Sequence, residues 1–324
     1  MLEEFLELEK ELNLFNKAIK DVKFWHLVRF GIYNEIQAQK KPIGQGHTSL
    51  KDMTLLKRLV KKLKQIPDIF FKSPILLKQK DILILNHPRR VRNGDVYECI
   101  YTDMLIKELN NSYIVLEDPI LDTHMKPIKH IEIRYTDYIY NMYLFKRILF
   151  RISSRKMLNE SEKSSIRELI ELINNEFNVD INIEQWVKNT GNAILEYKIA
   201  YKYFNKIIDK IKPKIIIEVV SYKTSRYIVN ELAKKKNIPT IELQHGTMGK
   251  NHIAYNIAEK KNISTLPDYI FLFGQFWKDT TCLPIDESRI KVVGWPNYEQ
   301  KLNEYKSKSR KSDKKVILFI SQGT

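Results

Sequence analysis

Pro239-Thr240-Ile241-Glu242-Leu243-Gln244-His245-Gly246-Thr247-Met248-Gly249 is the stretch that decides the reading of this chain. The run ending at Leu243 predicts a short buried strand, and a histidine follows almost at once, with a glycine after it that lets the backbone turn. Open α/β sheets bind ligands outside the carboxyl ends of their strands, so His245 is the first candidate for chemistry. Upstream, Lys214-Ile215-Ile216-Ile217-Glu218-Val219-Val220 is a second apolar run. Between the two, residues 224–236 place Tyr227, Ile228 and Leu232 at helical spacing, which completes a βαβ unit.

A histidine after a strand is also an ordinary hydrogen-bonded loop residue, and pattern alone leaves both readings open. The wider chain adds weight to the first. Residues 82–85 run into Asn86-His87-Pro88-Arg89-Arg90, and 113–116 into Glu117-Asp118-Pro119. Val220 leads into Ser221-Tyr222-Lys223-Thr224-Ser225, 269–273 into Gly274-Gln275, 290–293 into Gly294-Trp295-Pro296, and 316–320 into Ser321-Gln322-Gly323. In a doubly wound parallel sheet such ends gather on one edge, as a ligand cleft requires. The fold expected is α/β, a Rossmann-like parallel sheet with helices on both faces. Its strands are expected near 82–85, 113–116, 214–220, 239–243, 269–273 and 290–293. Helices are expected near 2–38, 50–65, 95–109, 137–155, 160–176, 183–211 and 224–236. The stretch 137–211 reads as a helical insertion whose Trp186, Leu195, Tyr201 and Phe204 are packing residues.

The segment 238–247, with His252 and Tyr255, then Pro267-Asp268-Tyr269, Phe273-Gly274 and Ile290-Lys291-Val292-Val293-Gly294-Trp295-Pro296, resembles bacterial surface-polysaccharide (capsule or O-antigen type) glycosyltransferases of the GT-B class. More distantly it is similar to the transferases that build glycerol-phosphate teichoic acids. The likeness is best over 213–300 and weaker over 81–122. It implies that the strand ending in His-Gly lies in the first of two Rossmann-like domains and faces the interdomain cleft. It further implies transfer of a sugar, or of a polyol phosphate, from a nucleotide-activated donor to a saccharide or lipid-linked acceptor, with His245 as base or orienting residue. Gln244, Gly246, Thr247, Lys250, His252, Tyr222 and Ser225 are the candidate substrate contacts around it. Residues 1–306 are then the acceptor-side domain, 307–315 a polar linker, and 316–324 the first strand of a donor-binding domain whose remainder is not in this sequence. The chain by itself is expected to lack transferase activity.

The 324 residues carry 55 Lys and Arg against 39 Asp and Glu, a net charge of +16 that points to an anionic partner. Lys57-Arg58-Leu59-Val60-Lys61-Lys62-Leu63-Lys64 sits in an expected amphipathic helix, which either lies on an anionic membrane or packs on the domain with its lysines in water. Phe145-Lys146-Arg147-Ile148-Leu149-Phe150-Arg151, with Arg155 and Lys156 beyond, is a shorter and more apolar candidate. Arg89, Arg90 and Arg92 precede Asn93-Gly94-Asp95 on the expected cleft edge, placed either to hold an anionic acceptor or to make surface ion pairs.

Several chemistries lack their motifs. There is no GxGxxG after a strand, no GxxxxGK[ST], no HExxH and no Asp-x-Asp, and Gly44-Gln45-Gly46 has no strand before it. No cofactor and no metal are expected; the nucleotide sugar is a co-substrate. Two cysteines, Cys99 in an expected helix and Cys282, suit a reducing compartment. With no long apolar stretch and an acidic amphipathic start, the expected location is cytoplasmic, peripheral at the inner face of the membrane. No helix-turn-helix, zinc finger or RNA-recognition signature supports specific nucleic-acid binding. The rival from another class is a basic protein that binds nucleic acid or membrane without catalysis.

Overall fold

In the computed structural model the strands are, in chain order, β1 (Ile82–Asn86), β2 (Val91–Asn93), β3 (Val96–Glu98), β4 (Tyr113–Glu117), β5 (Ile133–Tyr135), β6 (Ile215–Val219), β7 (Thr240–Leu243), β8 (Tyr269–Leu272) and β9 (Ile290–Val292). The helices are α1 (Leu2–Glu11), α2 (Trp25–Lys40), α3 (Asp103–Glu108), α4 (Asp137–Ile152), α5 (Glu160–Phe177), α6 (Ile183–Ile211), α7 (Thr224–Lys235), α8 (Gln275–Thr280) and α9 (Pro296–Ser307). The structure describes residues 1–40, 66–74, 77–109, 112–120, 123–128, 132–152, 157–258 and 263–307. The expected helix 50–65 with its basic run, Gly44-Gln45-Gly46, Arg155, Lys156, the linker after 307 and the strand 316–320 lie outside the described residues.

Seven strands form one parallel sheet in the order β5-β4-β1-β6-β7-β8-β9, while β2 and β3 pair as a separate antiparallel hairpin. The order reverses direction between β1 and β6, which makes that gap the topological switch point of a doubly wound α/β fold. Both faces are covered, so β1 is buried along its whole length. Leu83, Leu85, Leu116 and Ile216 meet Phe204, Ile208 and Ile211 of α6 and Ile228 and Leu232 of α7 on one face. Ile84, Val115, Ile133 and Ile217 pack with Ile106 of α3 on the other.

The helical stretch 137–211, expected as an insertion between sheet-forming segments, carries the chain from β5 at one sheet edge back to β6 beside β1, and the C-terminal half of α6 is part of the sheet's own core. The N-terminal half of α6 joins α1, α2 and α5 in a second core, where Trp186 packs with Phe5, Trp25, Ile32 and Phe177. Gly31 permits the close approach of α2 there, because a β-carbon would meet the Trp186 ring at 2.7 Å. Trp186 and Phe204 are buried, as expected of packing residues.

The expected helix 2–38 divides into α1 and α2 around a 3-10 turn at Leu14–Asn16, with Asn13, Lys20 and Asp21 at positive φ. The expected helix 95–109 is corrected to the β2–β3 hairpin followed by the short α3. Gly94-Asp95 makes the two-residue hairpin turn between the paired Asn93 and Val96, with Gly94 at φ 60°. Cys99 therefore sits in the turn between β3 and α3 rather than in a helix, and is buried.

Candidate functional site

The C-terminal ends of β1, β4, β6 and β7 carry polar side chains in place of the apolar residues behind them, and these set the geometry of the switch point. Asn86 and Glu117 face each other across β1 and β4, with Asn86 Nδ2 donating to Glu117 Oε2 at 2.9 Å. Arg226 of α7 is buried against the ends of the same two strands. It donates through Nη2 to the Asn86 carbonyl at 2.9 Å and through Nη1 lies 3.2 Å from Asp118. At the end of β6, Val220 is held at φ 68°, a left-handed conformation that a β-branched residue adopts only at a cost of about 1–3 kcal/mol. That turn presents Ser221, Tyr222 and Lys223 to the edge.

His245 follows β7 by two residues and is half-buried among aromatic rings. Its Nε2 lies 3.1 Å from the Tyr222 hydroxyl and its Nδ1 3.5 Å from the Tyr255 hydroxyl. Tyr255 donates its proton to Glu242 Oε1 at 2.8 Å, and the same oxygen accepts the Ser221 amide at 3.0 Å. With the Tyr255 proton committed to Glu242, the Tyr255 oxygen is an acceptor toward Nδ1–H. This arrangement favours the tautomer with the lone pair on Nε2. Strand alternation separates Glu242 from His245, and Tyr255 is the residue that connects them.

Burial, followed by the positive environment of His87, His252, Lys223 and Arg89, lowers the His245 pKa to about 4. The ring is neutral throughout the physiological range, and a weaker base than free imidazole. Its neighbour His87, stacked at 6.0 Å between ring centroids, is likewise lowered to about 4, by burial first and by Lys223 second. His87 Nδ1 accepts the Arg89 amide at 3.0 Å, which leaves its proton on Nε2. His252 closes the other side, 5.5 Å from Tyr222 and 5.0 Å from Tyr255, with its Nδ1 buried and without a hydrogen-bond partner. Trp295 stacks on Phe273 at 4.6 Å and on Tyr101 at 6.2 Å, and its Nε1 donates to the Ile100 carbonyl. Gly294 before it has φ 81°, and a β-carbon there would meet Glu299 Oε1 at 2.5 Å, so this position of the Gly-Trp-Pro turn requires glycine.

Two cavities flank His245. One of about 600 Å³ opens between α2, α4 and α6 and the ends of β4 and β6, with Phe30, Asp118, Glu196, Tyr222, Lys223 and Ser225 on its wall. Glu196 is raised above the usual carboxylate range by burial and then by Asp118. The second, of about 860 Å³, takes in Thr247, Lys250, His252, Phe276 and Cys282.

The sequence-expected residues thus divide. His245, Tyr222 and His252 come together; Ser225, Thr247 and Lys250 line the flanking cavities. Gln244 is buried and structural, bridging the Gly246 carbonyl at 2.8 Å and the Phe273 amide at 2.7 Å. Gly246 keeps φ out of the left-handed region, and a β-carbon there would meet nothing within 4 Å, so the turn after β7 does not depend on it. The arginine cluster is corrected. Arg90 is buried and locked to Glu117 at 2.8 Å and Asp103 at 3.2 Å, and Arg92 lies out on the hairpin with Nε on the Gly94 carbonyl. Arg89 alone of the three is exposed beside the imidazoles. Sequence reasoning did not assign roles to His87, Tyr101, Lys223 or Tyr255. His87 and Lys223 stand in the loops that follow β1 and β6, the two strands of the switch point, and that position was the available signal.

The fold and its edge define a doubly wound α/β protein with a histidine-centred, aromatic-walled crevice at the switch point. No protein-family model matches the chain, and no curated protein matches it. Among the described residues no group of His, Cys, Asp and Glu is arranged to hold a metal ion, and no helix is long and apolar enough to cross a membrane.

Proposed function

We propose that this chain forms the acceptor side of a transferase of surface-polysaccharide synthesis, which moves a sugar from a nucleotide-activated donor to a saccharide or lipid-linked acceptor. The observation that carries this reading is the setting of His245: Nδ1 3.5 Å from Tyr255, whose hydroxyl donates to Glu242, and Nε2 beside the Tyr222 hydroxyl, an arrangement that suits Nε2 as the basic nitrogen. In this mechanism the acceptor hydroxyl takes the place of the Tyr222 hydroxyl at Nε2. Its proton passes to Nε2 as its oxygen bonds to the anomeric carbon of the donor, and the bond from that carbon to the nucleotide's phosphate oxygen breaks. A base of pKa about 4 accepts the proton late, once the attacking oxygen has become acidic. Tyr255 and Glu242 then stabilise the imidazolium. The acceptor ring occupies the cavity of about 600 Å³, where Phe30 and Tyr222 offer stacking faces and Asp118 and Glu196 offer hydroxyl acceptors.

Lys223 and Arg89, the cations beside the two imidazoles, favour a second reading in which the transferred group is a polyol phosphate. The test supplies nucleotide sugars and nucleotide-activated polyols, with saccharide and lipid-linked acceptors, to the full-length protein and to His245→Ala. Loss of a base of this kind lowers turnover by about 10²–10⁴-fold. Near wild-type turnover in the variant removes His245 from the mechanism, and the donor class consumed decides between sugar and polyol phosphate.

A further inference from the structure

We propose that α4 is a docking surface for an anionic lipid bilayer. The helix turns Tyr143 into the protein and leaves Phe145, Ile148 and Leu149 at 55%, 53% and 46% exposure. These positions share one face by their i, i+3 and i+4 spacing. The outward face of a helix packed on a globular domain normally carries charged and polar residues, whereas this one carries three large apolar side chains together.

The charge along this part of the helix has one sign. Residues 138–149 contain Lys146 and Arg147 and neither Asp nor Glu. Arg147 is anchored to the shoulder of the helix, its guanidinium 5.8 Å from the Tyr143 ring centroid and 3.4 Å from the Tyr143 hydroxyl. Phe70 and Phe71, 68% and 77% exposed, precede Lys72, whose carbonyl accepts the Tyr135 amide at 2.9 Å, two residues before α4 begins. A further apolar pair therefore lies beside the start of the same helix. Apolar side chains beside cations suit the boundary between headgroups and acyl chains. A second copy of this chain suits it poorly, because a two-fold contact would set one cationic face against another within a protein of net charge +16. The inner side of α4 supplies Ile139, Tyr140 and Tyr143 to the cavity of about 600 Å³, so a docked bilayer lies about one helix diameter, roughly 10 Å, from that cavity.

Flotation of the full chain with phosphatidylglycerol-containing vesicles and with pure phosphatidylcholine vesicles, at about 0.1 M salt, tests the assignment. Binding is expected on the anionic vesicles and should weaken as salt rises. Replacing Phe145, Ile148 and Leu149 together by serine should lower partitioning at least about tenfold while the circular dichroism and melting curve stay unchanged. Lys146→Glu, at a partly exposed position, should weaken binding while leaving Phe145, Ile148 and Leu149 in place. Absence of wild-type binding, equal binding to neutral vesicles, or a triple variant that floats like wild type would overturn the proposal. So would a dimer that the triple variant dissolves while vesicle binding persists.

Discussion

Replacement of Arg90 by methionine should destabilise the fold far more than neutralisation of its neighbours in sequence. The Arg90 guanidinium is buried, with Nε on Glu117 at 2.8 Å and Nη1 on Asp103 at 3.2 Å. Glu117 is itself wholly buried and also holds Asn86, so the pair joins the ends of β1 and β4 to the turn before α3. Methionine fills most of the volume but leaves two carboxylates without their cation. Breaking a buried pair in this way costs about 3–5 kcal/mol, against a total stability on the order of 5–15 kcal/mol. At roughly 2–3 °C per kcal/mol for a domain of this size, the melting midpoint should fall by about 10 °C. Arg89→Gln and Arg92→Gln remove exposed charges and should stay within about 0.5 kcal/mol of wild type. Thermal melts of the three variants by circular dichroism check the contrast. An Arg90→Met midpoint within about 2 °C of wild type, or an equal loss in the Arg89 and Arg92 variants, would refute the assignment of Arg90 as the structural member of the cluster.

Two further outcomes concern pH. Burial, and then Glu242, raise the Glu218 carboxyl from 4.5 to about 8, so the folded protein holds a proton there that the unfolded chain releases. The sign is that of a raised pKa: the contribution is complete below pH 4.5 and is lost at about 1.4 kcal/mol per pH unit as pH climbs toward 8. Glu218→Gln keeps the acceptor for Asn230 Nδ2 and should abolish that slope; urea titrations of both proteins between pH 5 and 8 that run parallel would contradict it. For His245, lowered from 6.5 to about 4, the neutral base persists well below neutrality, so the acid limb of the transfer rate should fall near pH 4. A pH–rate profile with its acid limb near 6.5 would show that the reacting base is a different group.

Much of the sheet was legible because parallel strands are buried on both faces and read as continuous apolar runs. Ile82 to Leu85, Ile215 to Val219 and Tyr269 to Leu272 needed no periodicity to be found. The helix 183–211 was legible to its end residues, since its apolar stripe is long and Asn182 caps its start. Three of the short strands, β2, β3 and β5, were not. β5 is too short to carry a pattern, and the β2–β3 hairpin was taken for helix although Gly94-Asp95 is a two-residue hairpin signal with glycine at its first central position. The break between α1 and α2 has no Pro or Gly to announce it, and rests on Asn13, Lys20 and Asp21 at positive φ. At the site, the strand ends showed that His245 and Tyr222 belong to one edge. They did not show that Arg90 is buried, because adjacent arginines of one loop differ only in the direction that tertiary packing gives them. Nor did they show the Tyr255 relay, which depends on a 3-10 turn at Ile253–Tyr255 folding a residue ten positions downstream back over β7.

The 29-residue α6 has a mechanical meaning. At 1.5 Å per residue it is a rod of roughly 44 Å, seated at one end in the α1–α2–α5 bundle and at the other against the sheet. A rod clamped at both ends leaves no hinge between the bundle and the sheet. Opening either core strips apolar cover from the same helix, so the two cores share one unfolding event. Amide exchange along 183–211 would then decay with a single protection level from Trp186 to Ile211, and the wall that α6 lends to the cavity beside His245 would keep its width while side chains, rather than domains, adjust to what enters.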